Sequence, residues 1–296
     1  MPIDLIFDME TGDPDDLFTL MFLTAHPEVR LRAVTIMPGT RAQVGVVRWV
    51  LRETHHEMIP IGSFNANEPR DSVSRFLAWI ARDSAPEDPD DEGFEVLADA
   101  LWDYPDATVL TGAPLGNLGR MLKNVPDARI ARWIGQGGFA GDNVVPARHR
   151  LPKFAGKVTC KTYNFNLDAP AAFAMLESDR VGERRLVSKN VCHGVVYDEA
   201  LHLRMKPFRD SAPGFRLMVD SMAEYLKGQP GGKKFHDPLA ACVAIDPEVC
   251  EFAEVELYQE GYEWGSRPKP DSGTWISTAV NFQRFVATLQ GKGREG

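Results

Sequence analysis

Positive charge, cysteine and long apolar runs are all in short supply in this chain of 296 residues. The 33 Lys and Arg against 42 Asp and Glu leave a net charge of −9, which excludes the general basic face that nucleic-acid binding requires. No stretch approaches the roughly twenty apolar residues of a membrane-spanning helix. The cysteines, Cys160, Cys192, Cys242 and Cys250, lie far apart and form no C-x-x-C pair. That argues against a zinc site or a disulfide framework and for reduced thiols in a cytoplasmic protein. The apolar run beginning at Ile3 leaves no room for a signal peptide. There is no internal repeat and no convincing linker, so residues 1–296 are expected to form one domain. A hydrophobic content of 44% and a charged content of 25% suit a soluble protein with a large core.

What is present is an alternation of strand-like and helix-like stretches. Ile3–Phe7, Leu31–Ile36, Met58–Ile61, Ala107–Leu110, Arg132–Ile134 and Arg185–Ser188 read as strands. Leu17–Ala25, Arg41–Thr54, Gly93–Trp102, Leu115–Leu122, Ala169–Leu176 and Leu239–Ile245 read as helices. Such alternation predicts an α/β fold, a mostly parallel central sheet flanked by helices, of the open Rossmann-like kind. The Pro- and Asp-rich stretch Ser84–Glu92 reads as a flexible loop, and Asp142–Lys161 as a long basic one. Val255–Leu289 reads as two β-rich pieces and a closing helix. Trp79, Trp102 and Trp133 lie in apolar surroundings and read as core.

The most informative run is Ile6 to Leu17. It places Asp8, Glu10, Asp13, Asp15 and Asp16 directly after the first strand and before an apolar helix. Open α/β sheets bind their ligands at the carboxyl ends of strands. Crowded carboxylates do not stay ionised together without a cation. An oxygen-rich loop of this kind suits a hard divalent ion, calcium or magnesium. Some of these acids can serve simply as helix caps, Asp13 before Pro14 above all.

Five elements in order resemble the inosine–uridine-preferring nucleoside hydrolase family: Asp8–Asp16; Thr111-Gly112-Ala113-Pro114-Leu115-Gly116-Asn117; Gly137-Gly138 through Asn143; Tyr163-Asn164 through Ala172; and His236-Asp237-Pro238. The resemblance implies that fold and an N-glycosidic hydrolase acting on a small-molecule riboside, with a Ca2+ ion held by Glu10, Asp16, Asp237 and a backbone carbonyl near Thr111. It further implies Glu10, or Asp8 beside it, as the base acting on water, and Asp15 on a ribose hydroxyl. Asn143, Asn164 and the neighbouring Tyr163 would hold the sugar, and His236 would assist the leaving base. Family members are usually oligomeric, implying a homodimer or homotetramer.

Several positions depart from the family pattern. Glu10 replaces Asp in a loop one residue longer, Thr40 stands where many members carry Asn, and Thr162 replaces an acid near the 5′-hydroxyl. A His-Gly-x-x-Gly element is missing, with residues 72–82 in its place. The duller readings also stand: His236 satisfying a buried carbonyl, Asp237 a helix cap, Asn143 and Asn164 turn residues. Two rival functions remain at this level. One is a magnesium-dependent phosphatase of the haloacid-dehalogenase type with Asp8 as nucleophile. The other is a riboside-binding protein without turnover. Arg148, His149, Arg150, Lys153 and Lys157, in the long basic loop, form a candidate contact for a charged 5′ end.

Overall fold

The computed structural model of the chain describes residues 1–69 and 73–293. Ser72, at the start of the segment that replaces the missing family element, lies outside the described residues, as does the side chain of Trp79. The strands, in chain order, are β1 (Ile3–Met9), β2 (Val29–Ile36), β3 (Ile61–Ser63), β4 (Asp91–Glu92), β5 (Thr108–Thr111), β6 (Ile130–Gln136), β7 (Thr159–Cys160), β8 (Val181–Val187), β9 (Val196–Tyr197), β10 (Lys233–Lys234), β11 (Cys250–Glu260), β12 (Glu263–Pro268) and β13 (Thr274–Val280). Eleven of them make one sheet in the order β4-β3-β2-β1-β5-β6-β8-β13-β11-β12-β7; β9 and β10 form a separate antiparallel pair. From β4 to β13 every pairing is parallel, and β11, β12 and β7 add an antiparallel edge. The α/β expectation holds, with three strands rather than two β-rich pieces near the end of the chain.

The chain runs outward from β1 to β2 on one side and later resumes at β5 on the other. This reversal of strand order opens a crevice at the carboxyl ends of β1 and β5. Strand periodicity sorts the side chains of β1. Leu5, Phe7 and Met9 join the larger core cluster, with the helices Pro14–Ala25 and His236–Ile245. Ile6 points to the opposite cluster, beneath the helices Gly93–Asp103 and Gly116–Asn124. Both helices of the larger cluster that begin at the crevice are apolar all round and buried almost throughout, as a helix enclosed by a sheet and other helices must be.

Three readings are corrected here. The third strand begins after Pro60 rather than at Met58, since proline lacks the N–H that a ladder residue donates. The stretch Ser84–Glu92 is a loop only as far as Asp90, and ion pairs hold it to the helix Arg41–Glu53. Glu87 pairs with Arg52 at 2.7 Å, Asp88 with Arg41 at 2.7 Å and Asp90 with Arg48 at 3.2 Å, and its end forms β4. Gly45 admits this segment, because a Cβ there would lie 1.9 Å from the Ala85 carbonyl oxygen. Finally, Trp133 is buried, but Trp102 is 61% exposed. Val96, Leu97, Ala100 and Leu101 of its helix face the core, which turns position 102 outward.

Candidate active site

A cavity of about 440 Å³ opens at the crevice. Its walls come from the loop after β1 (Glu10, Gly12, Asp13), the first turn of the following helix (Asp15, Asp16), Gly112 after β5, Gln136 at the end of β6, and Thr162 to Asn164. Lys189 and His193 after β8, and His236 and Asp237, complete it. Segments more than 200 residues apart in sequence therefore meet at one point.

The loop geometry is set by backbone bonds. The Glu10 N–H donates to Asp16 Oδ1 at 3.0 Å, folding the acid loop over the start of the helix. Asp15 Oδ2 accepts the N–H groups of His236 (2.9 Å) and Asp237 (3.3 Å). A carboxylate is favoured at that helix N-terminus, where unpaired N–H groups and the helix dipole converge. Asp15, Asp16 and Asp237 each bring a carboxylate oxygen to within 4.8 Å of the other two. Glu10 lines the same cavity but does not belong to that close trio. Asp237 is thus a partner of Asp16 across the crevice, not merely a helix cap.

Crowding and burial dominate the electrostatics. Burial, followed by the charge of Asp237, Glu10 and Asp15, raises the pKa of Asp16 well above the carboxylate range; burial and the same neighbourhood do so for Asp237. Glu10 is pushed up to about 7 by burial and by Asp13 and Asp15. Asp13 rises to about 6 through burial and Asp15, with Lys233 opposing. Although Asp13 occupies the N-cap position, its side chain makes no capping bond. It turns instead to Lys233, whose Nζ lies 2.8 Å from Asp13 Oδ1 and 3.0 Å from Asp15 Oδ1. Burial works against the Lys233 ammonium, but Asp15 and Asp13 outweigh it and raise its pKa. Lys233 is the internal counter-charge of the acid group.

The acids fit a hard divalent cation on two structural observations. Asp237 Oδ1 is buried with no hydrogen-bond partner, an arrangement that costs free energy unless something binds it. Gly112 leaves space beside it: a Cβ there would stand 2.9 Å from the Asp237 carboxyl carbon and 3.0 Å from Asp16 Oδ1.

The other expected residues are placed unequally. Asn164 lies on the short helix Tyr163–Leu167, and its Nδ2 donates to the Gly112 carbonyl (2.8 Å) and to Gln136 Oε1 (2.9 Å). It therefore ties the ends of β5 and β6 together and has Oδ1 left for a ligand. Tyr163 lines the mouth and is 62% exposed. The Thr111 side chain is buried and accepts from Trp133 Nε1 at 3.0 Å, behind the cavity. Asp8 is fully buried and does not line the cavity. Its Oδ1 accepts from Thr35 (2.6 Å) and Asn117 (2.8 Å), and burial raises it to about 7. Facing the same way as Ile6, it lies outside the cavity, where the phosphatase reading would need it as nucleophile, and of Asp8 and Glu10 only Glu10 lines the cavity. Thr40 forms a capping box with Gln43, and Asn143 donates to the Ser266 carbonyl at 2.7 Å; neither lines the cavity. Arg148 and Arg150 do not line it either: Arg148 contacts His149, and Arg150 holds Asp142 and the Val145 carbonyl.

His236 faces the cavity with its Nδ1 3.0 Å from Cys192 Sγ. Burial, then Lys233, push its pKa down to about 3, so the ring is neutral at physiological pH. Burial pushes the Cys192 thiol up to about 12. A neutral ring beside a neutral thiol is not an activated cysteine nucleophile. The pair instead fixes the imidazole, leaving Nε2 to face a ligand. Lys189, Cys192, His193 and Lys233 escaped the sequence reading. The available signals were weak: the first three follow a strand, and Lys233 lies just before His236-Asp237.

A sequence model of the inosine-uridine preferring nucleoside hydrolase family matches residues 5–287. The fold is similar to that of a plant nucleoside hydrolase (TM-score 0.73, 17% identity, covering 99% of each chain). It is also similar to a purine-preferring ribonucleoside hydrolase from Gardnerella vaginalis (TM-score 0.72, 18% identity, covering 98% of this chain and 97% of that one). A third similar structure is an inosine-uridine preferring nucleoside hydrolase from Bacillus anthracis (TM-score 0.71, 15% identity, covering 98% and 99%). Comparison with curated proteins gives no match. The chain belongs to the inosine-uridine preferring nucleoside hydrolase family, whose members cleave N-glycosidic bonds.

Proposed function

We propose that this family member is a calcium-dependent N-ribosyl hydrolase that releases the base from a riboside. The observation carrying this reading is the buried trio of Asp15, Asp16 and Asp237 around an unpartnered carboxylate oxygen, with Glu10 on the same cavity wall. Asp16 and Asp237 would hold the ion, assisted by Glu10, Asp15 and a backbone carbonyl near Thr111. When bound, the ion supplies a template for the ribose hydroxyls and a lowered pKa for water.

The side chains supply the remaining chemistry. Cleaving a ribosyl C–N bond passes through a cation-like sugar, which an acid-lined pocket stabilises. Glu10, whose pKa burial and the neighbouring Asp13 and Asp15 raise to about 7 in the ion-free protein, would take a proton from water. Asp15, pinned by two backbone N–H groups and Lys233, offers fixed lone pairs to a ribose hydroxyl. Asn164 Oδ1 and the buried, unpartnered Thr162 hydroxyl serve the far end of the sugar. His236, being neutral, acts as a hydrogen-bonding partner of the departing base rather than as a charged acid. The cytoplasmic location and the homodimer or homotetramer are part of the same proposal. No helix among the described residues is long and apolar enough to cross a membrane.

The test is a screen of neutral ribosides for released base, with calcium and with a chelator. Asp16→Ala should abolish calcium binding and turnover together. Glu10→Gln should retain most calcium binding yet lose turnover by about a hundredfold or more, the usual contribution of a general base. Riboside binding without turnover in the wild-type protein would instead favour the non-catalytic reading.

A further inference from the structure

Part of the cavity wall beside the acids is cationic. Lys189 and His193 line it, and the His193 ring lies 5.0 Å from that of His236, tilted by 54°. Lys153 donates to His193 Nδ1 at 3.1 Å, and Lys189 donates to the Lys161 carbonyl at 2.6 Å, beside Thr162. Lys234, on β10 and exposed like Lys153, does not line the cavity, but its charge acts on both His193 and His236. No carboxylate pairs with Lys153, Lys189 or Lys234 among the described residues, whereas neighbouring Lys233 has two. In a protein of net charge −9, three lysines without a carboxylate partner that all act on one cavity-lining histidine, His193, are not an average surface. The lysines also act on one another: burial, then Lys234 and Lys189, lower the pKa of Lys153. Between them and the sugar-binding Asn164 lies Thr162, 3% exposed, lining the cavity with its hydroxyl unpartnered.

We propose that Lys153, Lys189 and Lys234, with His193 and the Thr162 hydroxyl, form an oxyanion-binding subsite, so that the preferred riboside carries a phosphate or carboxylate. The assignment rests on the hydrolase reading of the cavity and deepens it by naming the substrate class. Ammonium groups, an imidazole N–H and a hydroxyl are the donors that such an oxyanion accepts. His193 suits the role as a neutral donor: with Nδ1 accepting from Lys153, its N–H is on Nε2.

Release of base is compared for uridine, uridine 5′-monophosphate and orotidine, using the full chain with calcium. The phosphate arm places the anion on the sugar and the carboxylate arm places it on the base. One of the two anionic ribosides should exceed uridine in kcat/KM by about tenfold to a hundredfold, the size of one or two hydrogen bonds to a charged group. The advantage should shrink with added salt. In Lys153→Met/Lys234→Met, which alters two exposed side chains, most of that advantage should vanish. Uridine cleaved as well as both anionic ribosides, or an advantage that survives the double substitution, would overturn the subsite while leaving the hydrolase reading intact. If no riboside is cleaved, the hydrolase reading falls, and calorimetric titration decides the subsite. Uridine 5′-monophosphate or orotidine should then bind more tightly than uridine, and equal binding of all three overturns the proposal.

Discussion

Calcium should stabilise this protein more at pH 8 than at pH 6, and the amount can be worked from one residue. A hard cation binds deprotonated carboxylates, so protons compete with it. Glu10, with a pKa of about 7 in the ion-free protein, is ionised in roughly one molecule in eleven at pH 6 and ten in eleven at pH 8. That change alone raises the apparent calcium affinity about tenfold, or about 1.4 kcal/mol. Asp16 and Asp237, also raised, add to it in the same direction. The sign in the ion-free protein is opposite. Asp8, Glu10 and Asp13 bind protons more tightly folded than unfolded, so stability is greatest below about pH 4 as far as these groups are concerned. It then declines as pH rises to about 7. Thermal melts with chelator and with saturating calcium, at both pH values, read the difference. Since about 1 kcal/mol moves the midpoint of a protein this large by about 2 °C, the calcium-induced rise should be larger at pH 8 by about 3 °C. In Glu10→Gln the pH dependence should weaken by one proton's worth. A calcium shift equal or smaller at pH 8 than at pH 6 would refute the reasoning.

Gly112→Ala should destabilise the fold by about 1–3 kcal/mol and weaken calcium binding, because the new Cβ meets the Asp237 carboxyl at 2.9 Å; an unchanged melt and calcium titration would contradict this. Lys233→Met strips the buried counter-charge from Asp13 and Asp15 and should cost about 3–5 kcal/mol at pH 7 without calcium. That loss should shrink at pH 5, where Asp13 is protonated in the variant; urea denaturation showing the same loss at both pH values would rule out a charge-compensating role.

Much of the site was legible because its parts are local. An apolar strand, an acidic turn and a Pro-started apolar helix announce a ligand loop wherever they fall together, and His236-Asp237-Pro238 announces a helix start. Thr40 was legible in a different sense: Thr40-x-x-Gln43 is a capping box readable from spacing, and the structure uses it as one. Asn143 was not readable, since its partner Ser266 is 123 residues away on a strand brought alongside by sheet pairing.

The chain alone determined an α/β alternation, a cluster of acids after the first strand and a net negative charge, because each follows from composition or short-range pattern. Only the tertiary structure decided which acids meet. Side-chain alternation along β1 sends Asp8 into the core toward Asn117, while the loop beyond the strand presents Glu10 to the cavity. The order of the strands and the packing of a buried helix bring Asp237 to Asp16, Lys233 to Asp15, and Lys189 and His193 to the same cavity. Those pairings are long-range consequences of burying two apolar helices against one face of a single sheet, and no local spacing encodes them.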